Sequence, residues 1–428
     1  MRLVIFILYN IFIYPLFFLI TVFLSLFNKK IRDGFIGRFR TKSNLMYYFN
    51  NNNNSNSLIY WLHCSSYGEY LQVAPVIDGI KKNNINSVIL LSFFSPSGYD
   101  NTHNQSVDCK IYMPFDFYWT IHSILGLVNP HKIIIATTDF WYNFIWIAKL
   151  KKIDTVLIGA KSKRYFDKNL SLLHYIYKPV YQSISKIFTI TQNDTTSMGS
   201  YIGVFHKEKV HQMGNPRFDQ VISNAKHILD IDKKPILERQ NILLFGSMHH
   251  EDRNIVLAHV IKYLEENHDL DIIWVSHEPN EQDTKYLISM FNKRNISVGI
   301  IDSIEKVDIS KDRVKIINAV GILSKLYWRV KMAYIGGGFS TGVHNLMEPS
   351  VAEVPTIFGP NYNDFDEAIK VLNNRSGFCI KNGKELIRIL DLLLGDDQKL
   401  LLASTSAKDL INNNSGASNR IVEAILMD

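Results

Sequence analysis

Short, almost wholly apolar runs recur along this chain, each separated from the next by a stretch long enough for a helix. In the first half they cover residues 58–63, 87–94, 109–113, 132–137, 155–159 and 186–190. A strand that faces solvent alternates polar and apolar residues, whereas a strand covered on both faces does not. Continuous apolar strands joined by helices therefore require a parallel sheet with helices on both sides. Residues 65–70 lead through a glycine turn into a helix ending near Lys82, and 140–150 reads as another helix. A second series runs through 241–245, 271–275, 314–317, 332–335 and 356–358, and a helical region occupies about 384–428. No repeat is visible. The predicted class is α/β: two Rossmann-like, doubly wound halves facing a cleft. At 428 residues, two core domains are the natural division. Hydrophobic residues at 46% and charged residues at 20% allow filled cores and exclude global disorder.

From Leu3 to Phe27 there is no charged residue. Twenty-five residues reach across a hydrocarbon layer of about 30 Å. Ser25-Leu26-Phe27-Asn28 offers no small-residue cleavage pattern, so an uncleaved anchor over residues 1–28 is expected, either spanning or tilted into the interface. Lys29, Lys30, Arg32, Arg38 and Arg40 follow it, and the positive-inside bias places the bulk of the chain in the cytoplasm. Residues 29–57 read as a basic flank and linker, with the Asn50–Asn54 tract in an exposed loop. The expected domains are then 58–225 and 226–428. A net charge of +7 fits nucleic acid, an anionic membrane or phosphorylated substrates equally. Cys64, Cys109 and Cys379 form no pair or CxxC spacing, which fits a reducing compartment.

Ligands of open parallel sheets bind beyond the carboxyl ends of the strands. The loop Gly336-Gly337-Gly338-Phe339-Ser340-Thr341-Gly342 stands there, and it fits both phosphate binding and a tight turn. It is neither GxGxxG nor a P-loop. In His344-Asn345-Leu346-Met347-Glu348-Pro349, the proline puts Glu348 at a helix entrance, as a capping residue or a partner for a ribose diol. Behind the first strand, Ser65-Ser66-Tyr67-Gly68-Glu69 places a carboxylate where a general base or a helix-capping glutamate belongs. No HExxH or Cys/His cluster of ligand spacing suggests a metal.

Taken in order, these motifs resemble the 3-deoxy-D-manno-octulosonic acid (Kdo) transferases. The resemblance rests on Gly37-Arg38-Phe39, Trp61-Leu62-His63 with Ser66-Tyr67-Gly68-Glu69, and Gly214-Asn215-Pro216-Arg217-Phe218-Asp219. It continues through Gly246-Ser247 with Glu251-Asp252, His277-Glu278-Pro279, Gly321 through Tyr327, and the stretch from Tyr334 to Asn361. The resemblance implies a GT-B enzyme of the inner membrane, on its cytoplasmic face, working in lipopolysaccharide core biosynthesis. It would move Kdo from CMP-Kdo to a lipid A precursor with inversion, using no metal or other cofactor and no nucleic acid partner. Glu69 would be the catalytic base. Gly246, Ser247, His277, Glu278, Gly336, Gly337, Gly338, Asn345 and Glu348 would bind the donor. Ser66, Gly68 and Arg38 would lie on the acceptor side.

The chain departs from the family where many relatives carry Glu-Thr-Glu: it has Thr137-Thr138-Asp139, which leaves Asp139 as a possible assisting residue. His250 stands in place of a glutamate and Lys161 in place of an arginine. Two other readings stay open: another GT-B enzyme such as a nucleotide-sugar 2-epimerase, or a membrane-tethered binder of glycolipid or nucleotide that has lost catalysis.

Overall fold

The computed structural model describes residues 2–52, 57–137, 140–166, 173–226, 228, 233–301, 312–319 and 321–427. Two compact units emerge: Met1–Gln220 with Ser415–Asp428, and Val221–Asn414.

The first unit is built on a seven-stranded sheet of β1 (Ile59–Cys64), β2 (Val88–Phe93), β3 (Cys109–Tyr112), β4 (Lys132–Ala136), β5 (Asp154–Ala160), β6 (Lys186–Thr189) and β7 (Val210–Gln212). Every pairing is parallel and the order is β3-β2-β1-β4-β5-β6-β7. The order reverses between β1 and β4, which opens a crevice at their carboxyl ends. Ile133, Ile134 and Ile135 of β4 are each at most 1% exposed. Burying side chains of this size stabilises by about 1.5–3 kcal/mol each.

The second unit carries β8 (Gln240–Met248), β9 (Asp271–Ser276), β10 (Val298–Ile301), β11 (Val314–Ile317), β12 (Val330–Ile335), β13 (Thr356–Phe358) and β14 (Gly377–Cys379). They pair in the parallel order β10-β11-β9-β8-β12-β13-β14, with the reversal between β8 and β12. The strands the sequence pattern did not mark are β7, β10 and β14. All three are sheet edges: β10 and β14 have partly exposed residues, and β7 has two exposed residues of three. Their apolar signal is correspondingly weak.

The apolar N-terminal segment is one helical rod: α1 (Arg2–Leu8), a π-helical turn (Tyr9–Ile13) and α2 (Tyr14–Phe27). Pro15 lacks an N–H, so the ladder shifts and the Tyr14 amide bonds the Tyr9 carbonyl instead. By length and composition Leu3–Phe27 can cross a membrane, and most of it is exposed. One face, however, is docked on the first unit. The Tyr9 hydroxyl donates to Asp116 at 2.7 Å, the Asp116 amide donates to the Tyr14 hydroxyl at 2.6 Å, and Asn10 exchanges amide bonds with Asn143 at 2.9 and 3.1 Å.

Two expectations need correction. The flank is not a linker up to residue 57: α3 (Lys29–Phe39) is followed by α4 (Thr41–Asn51), whose Leu45 is fully buried and whose Thr41 hydroxyl donates to the Tyr112 carbonyl at 2.9 Å. Polar composition hid one apolar contact face; Asn50 and Asn51 of the tract end this helix instead of lying in a loop, and Asn53 and Asn54 lie outside the described residues. The C-terminal helix Ala417–Leu426 groups with the first unit, not with the second domain that precedes it in sequence. Asp219 accepts from the Gly416 and Ser418 amides at 2.5 and 2.7 Å, and the buried Lys132 ammonium donates to the Ile425 carbonyl at 2.6 Å. Unpaired N–H groups are thus met by a carboxylate at one end of that helix, and a terminal carbonyl by a cation at the other. The helix lies against α5 (Tyr67–Asn83), and a Cβ on Gly79 would come within 2.7 Å of Val422.

Candidate active site

Glu69 lies in the first turn of α5, just beyond β1, and is half-buried. One carboxylate oxygen accepts from the Ser65 amide at 2.5 Å and the other from the Thr137 hydroxyl at 2.5 Å. Thr137 follows β4, so the carboxylate is held from both strands at the point where the sheet order reverses. The Ser65 bond is also what a capping glutamate makes, so capping and positioning coincide here. Thr137 has φ +59°, a left-handed conformation that costs a β-branched residue about 1–3 kcal/mol. Its role was missed because sequence comparison registered only a lost acid there. Asp139, the second acid of that loop, lies outside the described residues.

The glycine turn expected at Gly68 is absent. The helix starts at Tyr67, and an added Cβ at Gly68 would meet only the Ser66 hydroxyl at 3.9 Å. Ser66 is the N-cap residue of α5 and its carbonyl accepts from the Tyr70 amide. Arg38 is buried, with its guanidinium 3.9 Å above the Phe94 ring and bonded to the Phe94 carbonyl at 3.0 Å. It lines a cavity of about 140 Å³ with Thr21, Lys30, Gly34, Phe94 and Ser95, at the foot of the apolar helix.

In the second unit, the loops after β8 and β12 interlock. The Gly336 amide donates to the Gly246 carbonyl at 2.9 Å. A Cβ on Gly336 would stand 2.2 Å from the Ser247 carbonyl, and one on Gly338 would stand 2.4 Å from the Gly359 amide. Gly337 has φ +91°. Its amide donates to the buried Asp252 at 2.8 Å, and the Tyr334 hydroxyl donates to the other oxygen of that carboxylate at 2.9 Å. Burial raises the pKa of Asp252, and these hydrogen bonds oppose the rise. Two of the three amides expected to face a phosphate are therefore engaged within the protein. Asn345 donates to Glu348 at 3.0 Å and accepts from the Met347 amide at 3.0 Å. Glu348 stands at the entrance of the short helix Met347–Val351 and borders a cavity of about 20 Å³ with Asn224, Ser324 and Trp328.

His277 is not isolated in its loop. Its ring stacks on His249 and on His344, with centroids 4.5 Å apart in both cases, while His249 and His344 are 4.9 Å apart. The Nε2 atoms of His249 and His344 are 2.7 Å apart and share a proton in a hydrogen bond. Burial, then His277 and His249, lowers the pKa of His344 to about 4. Glu278, the next residue, is exposed. No sequence spacing announces this cluster, because its members follow three different strands.

Comparisons with known proteins agree with this arrangement. Residues 37–220 match the family model described as 3-Deoxy-D-manno-octulosonic-acid transferase (kdotransferase). The 3-deoxy-D-manno-octulosonic acid transferase of Chlamydophila psittaci is 25% identical over 78% of this chain and 77% of its own. That of Aquifex aeolicus is 27% identical over 81% of this chain and 89% of its own. In fold, the chain is similar to the UDP-GlcNAc 2-epimerase from Neisseria meningitidis bound to UDP-GlcNAc, with a TM-score of 0.62 at 16% identity, covering 87% of this chain and 100% of that one. With two parallel, doubly wound sheets and relatedness along about four fifths of its length, the chain is similar to the Kdo transferases, which are glycosyltransferases.

Proposed function

We propose that this protein transfers Kdo from CMP-Kdo to a hydroxyl of a lipid A precursor, in lipopolysaccharide biosynthesis. The observation that carries the reading is the Glu69 carboxylate, fixed by Ser65 and Thr137 at the switch point of the first sheet. Glu69 takes the proton of the acceptor hydroxyl as its oxygen bonds to the anomeric carbon. The bond from that carbon to the phosphate oxygen breaks, CMP leaves, and the configuration inverts. The donor is assigned to the second unit. Gly246, Ser247 and Gly336–Gly338 permit close approach of the ligand, His277 and Glu278 flank it, and Asn345 with Glu348 offers a polar pair for the ribose. None of these steps calls on a metal.

The acceptor reading draws on the cavity beside the apolar helix. Lys30 and Arg38 bring two cations to a site whose other walls are largely apolar, which suits a phosphorylated glycolipid. We assign the helix to the bilayer interface, because Tyr9, Asn10 and Tyr14 hold one face to the protein. The exposed Lys29, Lys30 and Arg32 would then meet anionic lipid of the cytoplasmic leaflet. The test is Glu69→Gln: turnover with CMP-Kdo and a lipid A precursor, read by product mass, should fall by about 10²–10⁴-fold with the fold intact. Near-full turnover of that variant sinks the assignment of the base. Interconversion of a sugar nucleotide with no acceptor present would indicate an epimerase instead.

A further inference from the structure

We propose that His249, His277 and His344 form a binding site for one divalent transition-metal ion of the Zn²⁺, Co²⁺ or Ni²⁺ class. The three residues follow β8, β9 and β12, which are neighbours in the sheet, so their backbones end at one level. The His277 amide is tied to the Met248 carbonyl at 2.9 Å and the His344 amide to the Gly336 carbonyl at 3.1 Å. The cluster thus rests on the sheet itself.

Ligand identity and spacing both suit such an ion. Imidazole nitrogen is a favoured donor for these metals. With metal–nitrogen bonds of about 2.0–2.1 Å, tetrahedral geometry sets ligand nitrogens roughly 3.4 Å apart. Here one pair is 2.7 Å apart, and all three donor atoms lie within 4.8 Å of one another, so the required spacing falls inside the observed range. The ion would replace the proton between His249 and His344, and the stacked rings would turn to fan around it. His277 is exposed, which leaves a fourth position open on the solvent side. Asp252, bonded to Gly337 beside the cluster, supplies a nearby compensating charge.

The test uses the full, untagged chain stripped by chelator and titrated with Co²⁺, without nucleotide or acceptor, so that it is independent of the transfer reaction. Saturation at one ion per chain, with the visible absorption of a tetrahedral site that is abolished by Zn²⁺, is expected. His277→Ala changes an exposed ring and should weaken binding by at least about 10-fold, as should His249→Ala. His250→Ala, one residue outside the stack, should leave it unchanged. Circular dichroism of each variant separates loss of the site from loss of the fold. Non-stoichiometric binding, or affinity unaltered in folded His277→Ala and His249→Ala, overturns the proposal.

Discussion

Asp116 decides how the apolar helix is held, and replacing it with alanine should be among the most damaging single changes in the first unit. Its side chain is fully buried. It accepts from the Tyr9 hydroxyl at 2.7 Å, the Asn143 amide at 3.0 Å and the Phe144 amide at 2.9 Å. The last two are first-turn N–H groups of the helix Tyr142–Leu150, so the carboxylate caps that helix from a distant loop while fastening the N-terminal rod. Asp116→Ala orphans three buried donors at about 1–3 kcal/mol each, or roughly 3–6 kcal/mol once some water enters. That is a large share of the ~5–15 kcal/mol that holds a domain folded. Tyr9→Phe removes one bond to a charged acceptor and should cost about 1.5–3 kcal/mol, leaving the helix cap in place. Thermal unfolding in detergent measures both costs, and hydrogen exchange in α1 reports the docking. Asp116→Ala should lower the transition much more than Tyr9→Phe, while both release α1. If Asp116→Ala costs no more than Tyr9→Phe, the shared-cap reasoning is refuted.

Other outcomes follow from the same geometry. Gly338→Ala would set a Cβ 2.4 Å from the Gly359 backbone, so it should lower stability by more than 1 kcal/mol and weaken CMP binding in calorimetry. His344 has a pKa depressed from 6.5 to about 4 in the folded chain, so between those values the unfolded chain binds more protons. Stability should therefore fall as pH drops from about 6.5 toward 4, and His344→Asn, with His249, His277 and Asp252 retained, should flatten that fall in pH-dependent melting curves. On the outer face of α2, Leu16, Leu19 and Phe23 are 59, 63 and 60% exposed. Replacing all three with serine should reduce co-sedimentation with anionic vesicles at least about tenfold while turnover on a detergent-dispersed acceptor persists.

The amino-acid order determined a great deal. Continuous apolar runs such as Ile133–Ile135 fixed parallel strands, because only a sheet covered on both sides buries every residue of a run. The charge-free stretch from Leu3 to Phe27 declared itself by being long and apolar enough to cross a membrane, and Glu69 and the Gly336–Gly338 loop stood where parallel strands end. Tertiary structure decided what those residues touch. Thr137 supports Glu69 only because β4 lies beside β1, an adjacency that spans 68 positions of chain. The Gly337 amide turns to Asp252, 85 positions away, and three separate histidines stack because β8, β9 and β12 are neighbours. The final helix joins the first unit through Asp219 and Lys132, contacts no local pattern records. Local sequence carries periodicity and turn chemistry; partners set by strand order and crossover are long-range, so they exist only once the sheets have formed.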